Sequence, residues 1–188
     1  MKKVLLLMAL FVCINANSQD IELTETGVYE KKEVVVVDSA KAIVLFERAM
    51  IALSDWTGPD GKAKAGIDYQ EKETGTVIYK GTYSLGFKSG FLQGWDRWAD
   101  FILKVRCKDG RSQVTITVPT ITGVYSGNGM KRSWSLSEVV EAVNKSGKNK
   151  KERGRLLLKN VADTADGIVQ AMSDRLKGNA GNSDDDDF

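Results

Sequence analysis

The sequence predicts an α+β domain, an antiparallel sheet of about five strands in the order β-α-β-β-β-β-α-α with helices on one face. Three observations carry this reading. A β-branched run precedes a helical stripe, two hairpin patterns keep their apolar residues on one face, and helical patterns close the chain. With 188 residues, 42% of them hydrophobic, the chain can build one domain with a real core.

The first strand lies within residues 28–37, where Val34-Val35-Val36-Val37 is β-branched throughout. Asp38-Ser39 is read as the cap of a helix whose apolar positions are Ile43, Phe46, Met50 and Leu53. Trp56 follows about a turn later, and Gly58-Pro59-Asp60-Gly61 stops the helix. In the first hairpin, a three-residue loop at Glu73-Thr74-Gly75, with Gly75 left-handed, pairs Tyr69 with Tyr79 on one face. In the second, Asp109-Gly110 is a two-residue turn. It sets Val105 opposite Val114, Leu103 opposite Ile116 and Phe101 opposite Val118. The other face receives Lys104, Arg106, Gln113, Thr115 and Thr117, so one side is core and the other wet. Cys107 falls on the apolar face as a packed thiol.

Ser135-Leu136-Ser137-Glu138 has capping-box form and opens a helix through about Asn144. A basic loop at 145–155 then leads into a long helix over 152–177, with Leu157, Val161, Ala165, Ile168, Met172 and Leu176 in its stripe. Gly178 ends that helix, and 179–188 is an acidic tail predicted to lack fixed structure. The domain is thus expected over 28–178, with the sheet and first helix in 28–120 and the C-terminal helices in 135–177.

Residues 1–18 have the form of a cleaved export signal, and 19–27 form a polar lead-in. Lys2 and Lys3 precede an apolar run over 4–14, and Ala16-Asn17-Ser18 places small residues before a cut ahead of Gln19. Val12 fits poorly as the small residue a lipoprotein signal needs before Cys13. The expected product is therefore periplasmic or extracellular, without a lipid anchor or a transmembrane span. Cleavage removes Lys2 and Lys3 and no acidic residue, leaving 25 charges of each sign. A neutral chain argues against nucleic acid as partner. Cleavage also leaves Cys107 without a disulfide partner.

The absence of His removes His-based triads, Cys–His dyads and the usual zinc sites. Asp96 with Asp100, and Glu71 with Glu73, are close in sequence, but nothing sets either pair around a substrate-sized gap. The four Asp at 184–187 lack calcium-loop spacing, and the glycines of Ser126-Gly127-Asn128-Gly129 follow no phosphate-loop pattern. No enzyme, cofactor or metal is expected.

The chain resembles a family of secreted Bacteroidetes domains of unknown function whose fold is like that of the TATA-binding protein. The likeness rests on Val34 to Val37 with Asp38-Ser39-Ala40-Lys41, the helix ending near Trp56, and the segment from Glu73-Thr74-Gly75 through Lys80-Gly81. It rests also on Phe101-Ile102-Leu103-Lys104-Val105 before Lys108-Asp109-Gly110-Arg111. It covers about 28–120 closely and the C-terminal helices by type; the segment 86–97 is longer than it leads one to expect. It implies a curved sheet, export and an unassigned role, with no catalytic residues to carry over.

Two recognition sites are expected. An apolar pocket between sheet and long helix, lined by Tyr79, Phe101, Leu103, Ile168 and Met172, would hold a small hydrophobic ligand. An aromatic loop over 87–98, with Phe87, Phe91, Trp95 and Trp98, would close it as a lid or, with the wet sheet face, meet a protein partner.

Overall fold

The computed structural model describes residues 21–55, 66–85 and 94–178. Its elements are β1 (Tyr29–Val36), α1 (Ala42–Ser54), β2 (Gly66–Glu71), β3 (Thr76–Ser84), β4 (Trp95–Lys108), β5 (Arg111–Tyr125), β6 (Lys131–Ser135), α2 (Leu136–Lys145) and α3 (Lys148–Lys177). The sheet is antiparallel in the order β1-β5-β4-β3-β2, with β6 also on β5. The 15-residue β5 is long enough to pair β1 along its first half and β6 along its second.

The expected count of about five strands is therefore corrected to six. The strand missed is β6, whose sequence KRSWS has no apolar alternation to announce it. The glycine segment before it is the β5–β6 turn, in which Tyr125 N–H donates to Met130 O at 2.9 Å and Gly129 takes a left-handed φ of 71°.

The second hairpin follows its turn chemistry. Lys108 pairs with Arg111, Val105 with Val114 and Leu103 with Ile116. A bulge between Asp100 and Ile102 then shifts the register, so Phe101 does not pair squarely with Val118. In the first hairpin Gly75 is left-handed, with φ 62°, but Glu71 pairs with Thr76 across a four-residue loop. A bulge between Ile67 and Tyr69 restores parity, so Ile67 rather than Tyr69 faces the core beside Tyr79. Tyr69 is exposed instead.

Helix α1 is rotated from its predicted stripe. Leu45, Phe46, Ala49, Ala52 and Leu53 are buried, while Ile43 stands at the surface. Neither Asp38 nor Ser39 caps it; the N-cap is Lys41, which gives no side-chain bond. The cap comes from the β4–β5 turn, where the Asp109 carboxylate accepts from Ala42 N–H at 2.8 Å. Gly110 N–H donates to Ala40 O at 2.8 Å, locking turn and helix start together.

Helix α2 has its capping box, with Glu138 N–H donating to Ser135 Oγ and Ser135 N–H to the Glu138 carboxylate. Helix α3 starts at Lys148, four residues before the expected 152, so most of the predicted basic loop is helix. Gly178 ends it with φ 81°. At 30 residues and 1.5 Å rise it is about 45 Å long. The core lies between the helices and one sheet face. Val77, Leu103, Val105, Val114 and Ile116 there meet Leu45, Val161, Ala165 and Met172 from the helices. Ile21 and Leu23 of the lead-in also pack against this core.

Candidate interaction surface

The five residues expected to line a pocket under α3 are core. Tyr79, Phe101, Leu103, Ile168 and Met172 are each 0–2% exposed. Phe101 sits between Tyr79 and Tyr83, with centroids at 6.1 and 5.8 Å, and the Tyr83 hydroxyl donates to Val161 O at 2.9 Å. The sheet–helix space at these positions is filled by their own side chains, and the best-formed recesses on the described residues lie elsewhere.

The aromatic segment also divides. Strand β4 already begins at Trp95, so Trp95 and Trp98 are strand residues three apart and face opposite sides of the sheet. Trp98 pairs with Thr122 and Ser84 on the face away from the helices. Trp95 lies on the helix side, 5.3 Å from Tyr125 and 5.3 Å from Trp134, with Arg132 over the Trp134 ring at 5.4 Å. A Cβ on Gly123 would stand 3.0 Å from Trp95 and 3.1 Å from Trp134, so that glycine gives the two indoles their seat. Sequence reasoning missed Tyr125, Arg132 and Trp134, because only the β5–β6 pairing brings them beside Trp95. Phe87 and Phe91 lie outside the described residues, as do Trp56, the export signal and the acidic tail.

The outer sheet face is covered by no described element, since α1, α2 and α3 all pack on the other side. Its register rows are Val36–Arg111–Lys108, Val34–Gln113–Arg106 and Lys32–Thr115–Lys104. Val34 and Val36 are 56% and 61% exposed, against 1% for Val35 between them. Among the described residues Lys104, Arg106, Lys108 and Arg111 make no ion pair. Farther along, Asp100 accepts from Thr120 at 2.6 Å and from Thr122 at 3.1 Å. Asp96 is four residues away on the same strand, roughly 13 Å, too far for two carboxylates to share a proton.

Two other features are chemically quiet. Cys107 is buried, Ser112 Oγ donates to its sulfur at 3.4 Å, and burial pushes the thiol above its ordinary range. A buried thiol held protonated is a poor nucleophile. An open groove of about 1430 Å³ runs between the lead-in, β1 and the α2–α3 corner, edged by both signs of charge such as Lys151, Arg155, Glu22 and Asp163. Tyr29 OH donates to Asp166 there at 2.7 Å, tying β1 to α3. Among the described residues no three His, Cys, Asp or Glu side chains stand together to hold a metal, and no helix is long and apolar enough to cross a membrane.

A sheet with helices on one side and an open second face defines a curved α+β domain of TATA-binding-protein type. Residues 32–122 belong to the family described as a domain of unknown function (DUF4468) with TBP-like fold. A crystal structure of a DUF4468 family protein from Bacteroides ovatus is 14% identical, with a TM-score of 0.59 over 84% of this chain and 91% of that one. A TBP-like protein from Parabacteroides distasonis is 11% identical, with a TM-score of 0.62 over 85% of this chain and 98% of that one. At these identities the likeness is one of fold. None of the curated proteins matches the chain.

Proposed function

We propose that this protein is an exported, non-enzymatic interaction module that meets a protein partner through the uncovered face of its sheet. One observation carries the reading. An unbroken apolar run such as Val34-Val35-Val36-Val37 is the pattern of a strand covered on both faces, yet only the Val35 side is covered here. The two exposed valines lie in the same rows as Arg111, Lys108 and Arg106, which favours a partner with an apolar strip beside acidic groups. Nucleic acid remains the poorer fit for a chain that is neutral once the signal is removed. The competing reading, a hydrophobic ligand between sheet and α3, has less support because Tyr79, Phe101 and Met172 fill that space.

The test is cross-linked capture from the source cells with wild type and with a Val34→Asp/Val36→Asp variant. The exposed positions leave the melting temperature nearly unchanged, and the variant loses a partner that wild type retains. Equal recovery of that partner by both chains sinks the proposal. Export is read separately, from the N-terminal sequence of the native protein, which is expected to begin at Gln19.

A further inference from the structure

The chain carries two concentrations of basic side chains and one acidic run, and its geometry decides between them. One basic group is Lys148, Lys150, Lys151, Arg153 and Arg155 in the first turns of α3. The other is the β4–β5 end of the outer face, with Lys104, Arg106, Lys108 and Arg111. The acidic run is 184–187, beyond the end of α3 at Gly178.

The root of the tail lies close to the second group. A Cβ on Gly178 would stand 3.7 Å from the Arg48 guanidinium, and that guanidinium donates to Leu176 O at 2.9 Å. Arg48 is six residues from Ala42, about 9 Å along α1, and Ala42 N–H is held by Asp109 in the β4–β5 turn. Allowing for the length of an arginine, the tail starts within roughly 20 Å of that turn. An extended chain gains about 3.3 Å per residue, so 184–187 reach roughly 20–30 Å from Gly178. The basic start of α3 lies 23 to 30 residues back along a straight helix, roughly 35–45 Å away and out of reach.

We infer that the acidic run 184–187 of the same chain folds over the β4–β5 turn and occupies the basic end of the outer sheet face. The carboxylates lie against Lys108 and Arg111, with Arg106 and Lys104 continuing the column. The tail thus covers part of the surface proposed above for a partner and rests on that reading only for its consequence, competition with the partner. Contacts of this kind between exposed charges are individually weak and salt-sensitive, which suits a displaceable cover.

The experiment is paramagnetic relaxation in the full chain, with a nitroxide on Ser183→Cys and with Cys13 replaced by Ser. The buried Cys107 stays unlabelled. At low salt the amides of 104–111 are expected to lose more than half their intensity. The loss should vanish when all four aspartates at 184–187 become Asn, and near 1 M salt, where the screening length is about 3 Å. Unchanged intensities at 104–111, or losses centred on 148–155, overturn the inference. Losses that appear in unlabelled ¹⁵N chain mixed with labelled ¹⁴N chain assign the contact to a second copy and overturn it as well. No partner is needed for this measurement, so its failure leaves the capture result with Val34→Asp/Val36→Asp untouched, and the reverse.

Discussion

Asp109 shows how one side chain can belong to two elements. Its place in Asp109-Gly110 is dictated by a tight turn, with Gly110 at a φ of 75°. Its carboxylate, however, accepts from Ala42 N–H, 67 residues away, and supplies the cap that α1 lacks from its own sequence. Asp38 and Ser39 are displaced from that role because Ser39 takes a left-handed φ of 65° and the helix begins only at Ala42. Replacing Asp109 by Ala should cost about 0.5–2 kcal/mol, and Asn, which keeps an accepting oxygen, should cost less. Urea unfolding of the three chains checks this, and equal stability of Ala and Asp would show that the bond contributes nothing. The capping box of α2 was legible by contrast, because both of its partners lie within four residues.

Helix α3 contains two interior glycines with opposite roles. Glycine within a helix costs about 1 kcal/mol relative to alanine, so propensity alone says that either substitution stabilises. At Gly167 nothing stands within 4 Å of an added Cβ, and Gly167→Ala should raise stability by up to about 1 kcal/mol. At Gly154 an added Cβ would fall 2.3 Å from Val143 Cγ2, where α2 crosses α3. Gly154→Ala should therefore lower stability, by about 1–3 kcal/mol as an overpacked contact. Thermal melts of the two variants should move in opposite directions; a shared sign would mean that the α2–α3 contact yields without cost. The stripe of α3 was readable from its spacing, whereas its start was not. Basic side chains at a helix N-terminus oppose the helix dipole, and only packing on α2 carries α3 back to Lys148.

For the whole molecule, stability should vary little around neutral pH, since the chain has no His. It should fall in alkali. Burial pushes the Tyr83 hydroxyl far above its ordinary value of 10.0, and burial together with the Asp166 carboxylate does the same for Tyr29. A raised folded-state value means that the unfolded chain releases these protons first. Their contribution is intact below about pH 10 and is lost as pH rises beyond it. Urea midpoints measured from pH 7 to 11 should be flat and then decline. In Tyr83→Phe the alkaline decline should be shallower, and an unchanged slope would remove Tyr83 as its source.

The sequence by itself determined the class of fold, the second hairpin, the capping box of α2, the glycine end of α3 and the burial of Cys107. Each follows from contacts within a turn or from a simple period along one element. It also gave Val34 and Val36 their apolar identity without saying which valines would be covered. Only the tertiary structure decided the bulge that turns Tyr69 outward, the cap that Asp109 lends to α1, and the pairing of β6 with β5. It also decided that Tyr79, Phe101, Leu103, Ile168 and Met172 fill the space where a pocket was expected. The physical reason is that these features depend on residues far apart in the chain. Their positions are set by sheet register and by how closely α3 settles on the sheet, and neither quantity is written in any local pattern.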